Sequence, residues 1–380
     1  MIARLIFGLK MAFIILVIPG AVYAHVVNTS FLFLRIVNTP TEAAMGGCSV
    51  NNINESSAIY NPGALGLLHL SKNFAVSMPN NTVWLPELDS SLRLKSFSIS
   101  GRAFTICKKS NTTVFRLSAG LSYSRIKLAY NDMAIVDPAG NYLGSYDAYD
   151  KTDLYTISLG IQYYLRIGAG YTVKKIKSEL STTVVADPDA HDYGFLAELP
   201  IGDIIPIGWG NDSGHDPKFN LDITPSFAYV KANLGDDFYY SGVVNADRLP
   251  KIKRTGFAVS FSCNMKKASL VSARIARETE RNLYGGEIEF KRNGYEVGFL
   301  GAFYYRWGKI DDGDMDYKTK GIGINLRGII AIFNAIGPGY SGKTAKYLAD
   351  NLDFKFGYAW YGDDADALAG TNFVMISLSL

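Results

Sequence analysis

The sequence predicts an all-β protein: a transmembrane antiparallel β-barrel of about 14 strands, with an N-terminal hatch, meaning a segment that fills the lumen. Apolar and polar residues alternate with a period of two over most of the chain after residue 72, which indicates half-buried strands. Aromatic residues make up 13% of the chain, yet the mean hydropathy is only +0.06. A membrane barrel explains both values, because its outer face is apolar and rich in aromatic residues while its lumen is polar.

The first 24 residues predict a secretory signal peptide. They combine a basic start, an apolar run ending at Ile18, a Pro19-Gly20 break and small residues for cleavage at positions 22–24. A transmembrane anchor is the alternative, but the run is shorter than the roughly 20 apolar residues of a helical span. We therefore expect a signal peptide at 1–24, a hatch at 25–71 and the barrel at 72–380.

The charge balance and the cysteines exclude several classes of partner and site. The chain has 38 Lys+Arg against 35 Asp+Glu, and two of the basic residues lie in the signal peptide, so no nucleic-acid partner is expected. Cys48, Cys107 and Cys263 are too few and too far apart for a disulfide framework or a zinc site. They are best explained as small apolar residues that fill space in the core; one disulfide between two of them, formed in an oxidising periplasm, is the alternative. No metal site and no cofactor are predicted.

The stretch from Glu42 to Gly66 fits neither a helix nor a strand pattern. A flexible Gly46-Gly47 pair, a polar run of Asn and Ser, and an Asn61-Pro62-Gly63 turn favour an irregular segment that bonds to itself. Alternating runs follow it almost to the last residue. We therefore expect this stretch to lie inside a closed β-structure.

Period-two alternation places fourteen strands after the hatch. In Thr113–Ser124, Phe115 and Leu117 share one face, whereas Arg116 and Ser118 share the other. The run from Leu154 to Lys174 is too long for one bilayer strand of about 9 to 11 residues, so we divide it at Tyr164-Leu165. With these three, the predicted strands are Lys72–Pro79, Lys95–Thr105, His191–Leu199, Phe219–Val230, Ile252–Cys263, Lys267–Arg277, Tyr284–Lys291, Tyr295–Arg306, Thr319–Ala331, Asn351–Trp360 and Thr371–Leu380.

The lengths of the connections give an independent check. An even strand number returns both chain ends to the periplasmic side, where connections are short. Short connections are predicted at Cys107–Thr112, Asn264–Lys266 and Arg292–Gly294, the last with an Asn-Gly hairpin signal. The long external connections are Asn80–Leu94, Arg125–Asp153, Ile176–Ala190, Lys231–Lys251, Trp307–Lys318 and Tyr361–Gly370. Three connections do not follow this difference in length. Pro200–Lys218 and Ile332–Asp350 are long although they should be periplasmic, and Glu278–Leu283 is short although it should be external.

A soluble β-sandwich or β-helix would show the same alternation, because any half-buried antiparallel sheet has this period. The aromatic residues favour a membrane barrel, since they collect on the apolar face near strand ends, as at Tyr155, Tyr163 and Trp360. Such rings are typical of membrane–water interfaces. We therefore expect the protein in the outer membrane of a Gram-negative-type bacterium, in contact with outer-membrane lipid.

The stretch from Phe33 to Gly66 resembles the N-terminal signature of the PorV/PorQ group in the FadL superfamily of outer-membrane barrels. That signature has a G-M-G-G-A stretch followed by Y-W-N-P-A-G-L, and here Ala44–Cys48 reads A-M-G-G-C and Tyr60–Leu65 reads Y-N-P-G-A-L. Two features depart from the pattern: the aromatic before Asn is Tyr60 alone, and Gly63-Ala64 reverses the usual order. The resemblance implies a hatch that plugs a fourteen-stranded barrel, with hatch residues Met45, Gly46, Gly47, Tyr60, Asn61, Pro62 and Gly63. Its Asn and Ser side chains would bond to lumenal residues such as Arg116.

Three further motifs allow other interpretations. Gly337–Thr344 matches the phosphate-binding pattern G-x-x-x-x-G-K-[ST], but no strand–helix alternation precedes it, so we interpret it as a chance match. The acidic run Asp311–Asp316 suggests Ca²⁺ yet lacks EF-hand spacing, which favours a solvated external loop. Glu287 and Glu289 share a face of Tyr284–Lys291, where lumen polarity explains them better than a catalytic pair. We predict no catalytic residue and no enzymatic activity.

Two functions and a distant third remain. The barrel could pass hydrophobic or amphiphilic small molecules across the outer membrane, as the FadL resemblance implies, and we favour this function. It could instead receive or shuttle secreted proteins in type IX secretion, as the PorV resemblance implies; an outer-membrane enzyme is third. An apolar pocket between hatch and wall would support uptake, whereas a groove built by Arg125–Asp153 and Lys231–Lys251 would support carriage of a secreted protein.

Overall fold

Fourteen antiparallel strands close into one ring in the computed structural model of the protein. The structure describes residues 29–380 apart from 80, 88–90, 110–113, 182, 206, 212–216, 266–267, 285–288, 312–315, 331–350 and 363–367. The ring strands are β1 Phe74–Pro79, β2 Leu92–Lys109, β3 Val114–Val136, β4 Tyr142–Gln162, β5 Arg166–Glu179, β6 Asp189–Glu198, β7 Pro217–Leu234, β8 Ile252–Met265, β9 Ala268–Asn282, β10 Phe290–Phe299, β11 Phe303–Asp311, β12 Asp316–Asn325, β13 Asp353–Tyr361 and β14 Asn372–Ser379. The predicted barrel of about 14 strands is confirmed.

Each ring strand pairs with the next along the chain, and the last pairs with the first. Ala75 of β1 lies opposite Ser379 of β14, and Phe74 of β1 lies opposite Gly101 of β2, so no barrel edge is left open. Three short strands add to single ring strands: Thr82–Val83 to β2, Val185–Ala186 to β5 and Ile207–Asn211 to β7. Because β1 begins and β14 ends at the same rim, that rim is the periplasmic one and the other is extracellular.

The predicted alternation of faces is confirmed on the ring strands. On β4, Tyr155, Ile157 and Leu159 point outward and are exposed, while the intervening Thr156 and Ser158 are buried. Side chains of successive strand residues point to opposite faces, so one parity meets the surroundings and the other meets the lumen. The result is an apolar outer wall and an inner wall of small and polar residues, as expected for a bilayer-spanning barrel.

The strand boundaries agree with the prediction in some places and not in others. The division at Tyr164-Leu165 is confirmed, because residues 163–165 form the turn between β4 and β5. Arg125–Asp153 is not a loop: both flanking strands continue beyond the neighbouring strands, and only residues 137–141 connect them. Glu278 lies inside β9, so the external connection after it begins at Leu283 and is longer than predicted. Residues 326–330 are helical, which shortens the predicted strand Thr319–Ala331.

The predicted hairpin at Arg292–Gly294 is wrong. Asn293 and Gly294 lie in the middle of β10, opposite Arg277 and Ala276 of β9. The chain reverses later, at Leu300-Gly301, where both residues have left-handed backbones with φ of 56° and 61°. The predicted strands Tyr284–Lys291 and Tyr295–Arg306 therefore have the wrong bounds, and the second contains the turn between β10 and β11.

Residues 29–73 fill the lumen before the first ring strand begins. They contain a 3₁₀ turn, Leu32–Arg35, and three helices, α1 Pro40–Ala44, α2 Ser57–Tyr60 and α3 Pro62–Ser71. Helix α3 packs against β3–β6, and α1 packs against β11–β14, on the other side of the ring. A segment that touches both sides of a closed ring lies inside it. A further short helix, α4 Ile201–Ile204, lies in the connection between β6 and β7.

Candidate functional site: the filled lumen

The lumenal segment runs from the extracellular end of the barrel to its periplasmic end. The backbone N–H of Ser30 donates to the carbonyl of Arg248, which lies in the extracellular connection between β7 and β8. At the other end, the Arg116 guanidinium donates to the carbonyl of Leu70 at 3.4 Å. Arg116 therefore contacts the segment as expected, but it binds a helix carbonyl instead of an Asn or Ser side chain.

Tyr60, Asn61 and Pro62 organise the segment from within. The buried Tyr60 hydroxyl donates to Asn38 Oδ1 at 2.9 Å and lies 2.8 Å from the Thr39 hydroxyl, which joins α2 to the chain before α1. Asn61 caps α3 by accepting from the N–H of Gly63 at 2.9 Å, and Pro62 occupies the first helical position, where no N–H is needed. The N-P-G motif therefore starts a helix and does not form the isolated turn that its composition suggested.

Met45, Gly46 and Gly47 form the contact of α1 with β10 and β11. Gly46 and Gly47 have φ of 63° and 77°, so the left-handed backbone after α1 requires glycine. A Cβ atom on Gly46 would lie 2.6 Å from the carbonyl oxygen of Asn293, and one on Gly294 would lie 2.5 Å from the carbonyl oxygen of Met45. Gly294 is therefore needed for close approach of the segment and not for a turn.

Glycines on the opposite wall let α3 approach β4–β6 at backbone distance. A Cβ on Gly63 would lie 2.7 Å from the carbonyl oxygen of Gly168, and one on Gly170 would lie 2.5 Å from that of Pro62. A Cβ on Gly194 would lie 2.6 Å from the Pro62 ring. The sequence analysis missed the role of Gly168 and Gly170. The signal was a run of glycines at inward-facing positions.

A buried ionic cluster clamps the segment to β8, β9 and β10. Glu280 accepts from Arg35 of the segment at 2.8 Å, from Arg254 at 2.7 Å and from Arg292 at 2.9 Å. Neighbouring Glu278 accepts from Arg292 at 3.2 Å. We call these five residues the ionic clamp; sequence reasoning missed them, because the pairs are separated by up to 245 positions.

Glu278 also holds the backbone of the segment directly. It accepts from the N–H groups of Ser49 and Val50 at 2.7 and 3.0 Å. Removing any partner would leave a buried charge or donor unpaired, which is more costly than the pair itself is favourable. The clamp therefore fixes where the segment sits in the lumen.

Two further glutamates within the segment complete its polar contacts. Glu42 accepts from the side chains of Asn52 and Asn54 at 3.0 and 2.7 Å, which ties α1 to the polar run. Glu55 accepts from Lys355 at 2.9 Å and from Ser377 and Ser379 on β14. Burial would raise the pKa of Glu55, but Lys355 and these hydrogen bonds outweigh it and hold the pKa below its usual range.

The extracellular end of the lumen is apolar and aromatic. Phe31 of the segment stacks on Phe238 with ring centroids 4.7 Å apart, and Phe33 lies edge-on to Phe31 at 6.2 Å. Trp84, in the connection between β1 and β2, is partly buried against the same cluster, with its ring centroid 6.3 Å from that of Phe373 on β14. We call this cluster the aromatic vestibule: Phe31, Phe33, Trp84, Phe238, Tyr240, Tyr361 and Phe373.

The periplasmic half of the lumen is polar on the side of β9 to β14. A cavity of about 200 Å³ lies between the segment and the strands from β9 to β14. Its lining includes Arg274, Glu296, Arg306 and Lys355, with Glu296 accepting from Arg306 at 2.5 Å. The lumen is therefore apolar at its extracellular end and polar around this cavity.

The remaining predicted motifs contribute little to this site. Gly337–Thr344, Glu287 and the centre of the acidic run Asp311–Asp316 lie outside the described residues. Glu289 is not on a lumenal strand; it lies in the connection before β10 and pairs with Arg281 at 2.7 Å. Cys48, Cys107 and Cys263 are free thiols, so none of them forms a disulfide.

A closed antiparallel ring with an apolar outer face and a polar, filled interior defines a membrane-spanning β-barrel, the architecture of bacterial outer membranes. No helix within the described residues is long and apolar enough to cross a bilayer. No family model and no curated protein matches the sequence.

Solved barrels nevertheless resemble the chain over most of its length. The toluene transporter TbuX of Ralstonia pickettii is 12% identical, with a TM-score of 0.42 over 91% of this chain and 97% of its own. The toluene transporter TodX of Pseudomonas putida is 10% identical, with a TM-score of 0.40 over 95% of this chain and 99% of its own. A BenF-like porin from Pseudomonas fluorescens Pf-5 is 10% identical, with a TM-score of 0.32 over 82% of this chain and 98% of its own. At these scores none of the similarities supports a conclusion about function.

Proposed function

We propose that the protein is an outer-membrane barrel of the FadL/PorV type that passes hydrophobic or amphiphilic small molecules across the outer membrane. In this proposal residues 25–71 are the hatch, and Met45, Gly46, Gly47, Tyr60, Asn61, Pro62 and Gly63 shape its contacts with the wall. The hatch closes the lumen to polar solutes. A hydrophobic molecule enters from the extracellular end.

The aromatic vestibule is the observation that carries this proposal. An aqueous diffusion pore has a polar lumen, because water and ions must be solvated along its length. Here Phe238 and Phe373 are buried in an apolar cluster at the extracellular end, between the wall and the hatch. Apolar and aromatic side chains with few polar groups typically line small-molecule binding sites, so this cluster would contact an entering hydrophobic molecule.

Liposome flux measurements test the proposal. Purified full-length protein would be reconstituted, and entry of a monoaromatic hydrocarbon and of a disaccharide compared. We expect the hydrocarbon to enter faster than in protein-free liposomes, and the disaccharide to be excluded. Phe238→Ser should slow hydrocarbon entry, whereas Tyr239→Ser, the exposed neighbour, should not. Equal entry of both solutes, or flux insensitive to Phe238→Ser, would contradict the proposal.

A second candidate function is carriage of secreted proteins, and the β3–β4 hairpin favours it. Beyond Tyr130 and Tyr149 this hairpin has no paired neighbour among the described strands. Its tip leaves Tyr142 and Leu143 exposed by 68% and 66%. Exposed apolar groups of this kind mark protein-interaction surfaces. Recovery of a translocon component or a secreted protein on the wild-type barrel, lost in Tyr142→Ser/Leu143→Ser, would favour this function over uptake.

A further inference from the structure

Four lysines stand in one row across four neighbouring strands. The register places Lys95 of β2 opposite Lys127 of β3, Lys127 opposite Lys151 of β4, and Lys151 opposite Lys177 of β5. We call these residues the lysine row. Like charges directly opposite each other on adjacent strands repel and destabilise a sheet. Such a row therefore needs an anionic partner to offset it.

The lysine row lies on the outer face of the barrel. The chain neighbours of these lysines, among them Leu94, Ile126, Thr152 and Ile176, are buried on the lumenal side. The side chains of Lys151 and Lys177 are 25% and 45% exposed. Because successive strand residues point to opposite faces, all four ammonium groups face the surroundings of the barrel.

The height of the row matches the outer-leaflet headgroups. Toward the periplasm, the next rings on these strands are Phe97, Tyr123 and Tyr155, with centroids 5.5 and 5.3 Å apart. An aromatic girdle marks the edge of the bilayer core. Lys151 precedes Tyr155 by four residues, or about 14 Å along a tilted strand. The row therefore stands just above the girdle, on the extracellular side.

The carboxylates within the barrel do not neutralise this region. Lys151 pairs with Asp153 at 3.4 Å and Lys177 pairs with Glu179, but Asp153 is shared with Arg125 at 2.6 Å. Lys127 lies over the ring of Tyr149 at 4.4 Å, and Lys95 has no ion pair among the described residues. Counting Lys175, whose partner is Asp189, six cations share three carboxylates.

An apolar groove of about 640 Å³ lies on the same strands, directly below the row. It is an outer-face concavity, lined by Ile99, Leu121, Tyr155, Ile157 and Val173. In the bilayer this groove faces acyl chains. Cations above and an apolar groove below match one molecule with an anionic head and several fatty chains.

We propose that the lysine row and this groove bind a phosphorylated glycolipid of the outer leaflet, of the lipid A type. The row would contact the phosphates, because long lysine side chains extend their ammonium groups to the headgroup level. The groove would hold one or more acyl chains. The binding site is separate from the lumen, so it goes beyond the proposed passage of small molecules.

Binding of lipid A to the full-length barrel in detergent, measured by native mass spectrometry, tests this inference. The probes are bisphosphorylated lipid A, its dephosphorylated form and inorganic phosphate. We expect lipid A to bind at least about tenfold more tightly than the dephosphorylated form. The variant Lys95→Gln/Lys127→Gln/Lys151→Gln/Lys177→Gln should lose at least about tenfold in lipid A affinity.

A matched control removes the same charge elsewhere on the barrel. The variant Lys231→Gln/Lys253→Gln/Lys318→Gln/Lys320→Gln should bind lipid A like wild type, and heat-modifiable migration would verify that both variants are folded. Ile157→Asp should weaken lipid A binding through the groove while leaving the lysine row intact. Equal binding by the two quadruple variants, or equal binding of dephosphorylated lipid A, would overturn the proposal. Saturation by inorganic phosphate with no preference for the lipid would overturn it as well.

Discussion

Replacing Glu280 by glutamine should release the lumenal segment without unfolding the barrel. The carboxylate of Glu280 is fully buried and accepts from three guanidinium groups, those of Arg35, Arg254 and Arg292. Glutamine keeps the size of the side chain but not its charge. The buried guanidinium groups of Arg254 and Arg292 would then share Glu278. Arg35 would lose its ion pair with the clamp. The ring itself depends on backbone hydrogen bonds between its strands, which the substitution does not touch.

The expected magnitude follows from the burial of the pair. Removing one partner of a buried ion pair costs about 3 to 5 kcal/mol, because the other partner stays buried and uncompensated. The segment contacts the clamp through Arg35, through the hydroxyl and N–H of Ser49 and through the N–H of Val50. We therefore expect much of this cost to fall on segment docking. The ratio of docked to undocked segment would fall by about 150-fold to about 4,500-fold. Ion conductance in planar bilayers and proteolysis of residues 29–73 report this change.

Glu289→Gln is the matched control for Glu280→Gln. Glu289 pairs with Arg281 at the barrel surface, where an exposed pair contributes about 0 to 1 kcal/mol. It should leave conductance and proteolysis unchanged. In the double variant Arg35→Gln/Glu280→Gln, the loss of segment docking should be smaller than the sum of the losses in the two single variants. The reason is that the double variant also removes the Arg35 cation that Glu280→Gln leaves without its carboxylate partner. If Glu280→Gln conducts no more than Glu289→Gln, the ionic clamp does not hold the segment.

Three other substitutions test the remaining contacts. Gly170→Ala should weaken docking of α3 by about 1 to 3 kcal/mol, because its methyl group would lie 2.5 Å from the Pro62 carbonyl oxygen, whereas Gly101→Ala, with 3.9 Å to the nearest atom, should be neutral in thermal unfolding. His69 is buried and burial lowers its pKa, so the folded state favours the neutral imidazole, and stability should fall as the pH drops below about 6.5. His69→Asn should reduce the loss of stability measured between pH 7.5 and 5. Phe31→Ala should increase proteolysis near Ser30, since it removes the stack on Phe238; unchanged cleavage would show that the stack does not hold this end.

The sequence was sufficient for the wall of the barrel because the wall is a repeated local pattern. Alternation on Leu154–Lys174 identified both strands and even the turn at Tyr164-Leu165, since a strand longer than the bilayer must reverse. The closed ring and its outward apolar face followed from the same rule. Where a strand continues beyond the membrane, as β3 and β4 do, the length rule fails, so Arg125–Asp153 was mistaken for a loop.

The site was predictable in its location but not in its chemistry. The N-P-G motif and the Gly46-Gly47 pair identified the segment that occupies the lumen, because both are local features. Glu280, Arg35 and Arg254 come together only after the ring closes, and no spacing in the sequence relates them. A charged residue at an inward strand position predicts polarity, but its partner depends on the fold.

Inward-facing glycines explain why the hairpin prediction was wrong. The Asn293-Gly294 pair resembles a hairpin turn, yet both residues lie in β10. Residue 294 is a glycine because the carbonyl oxygen of Met45 leaves no room for a side chain there. Gly168 and Gly170 do the same for α3 on the opposite wall. In a barrel filled by its own chain, inward-facing glycines therefore mark where the filling segment touches the wall. Applied to this sequence, that rule places contacts on β4–β6 and on β10, and it would have predicted β10 as one continuous strand.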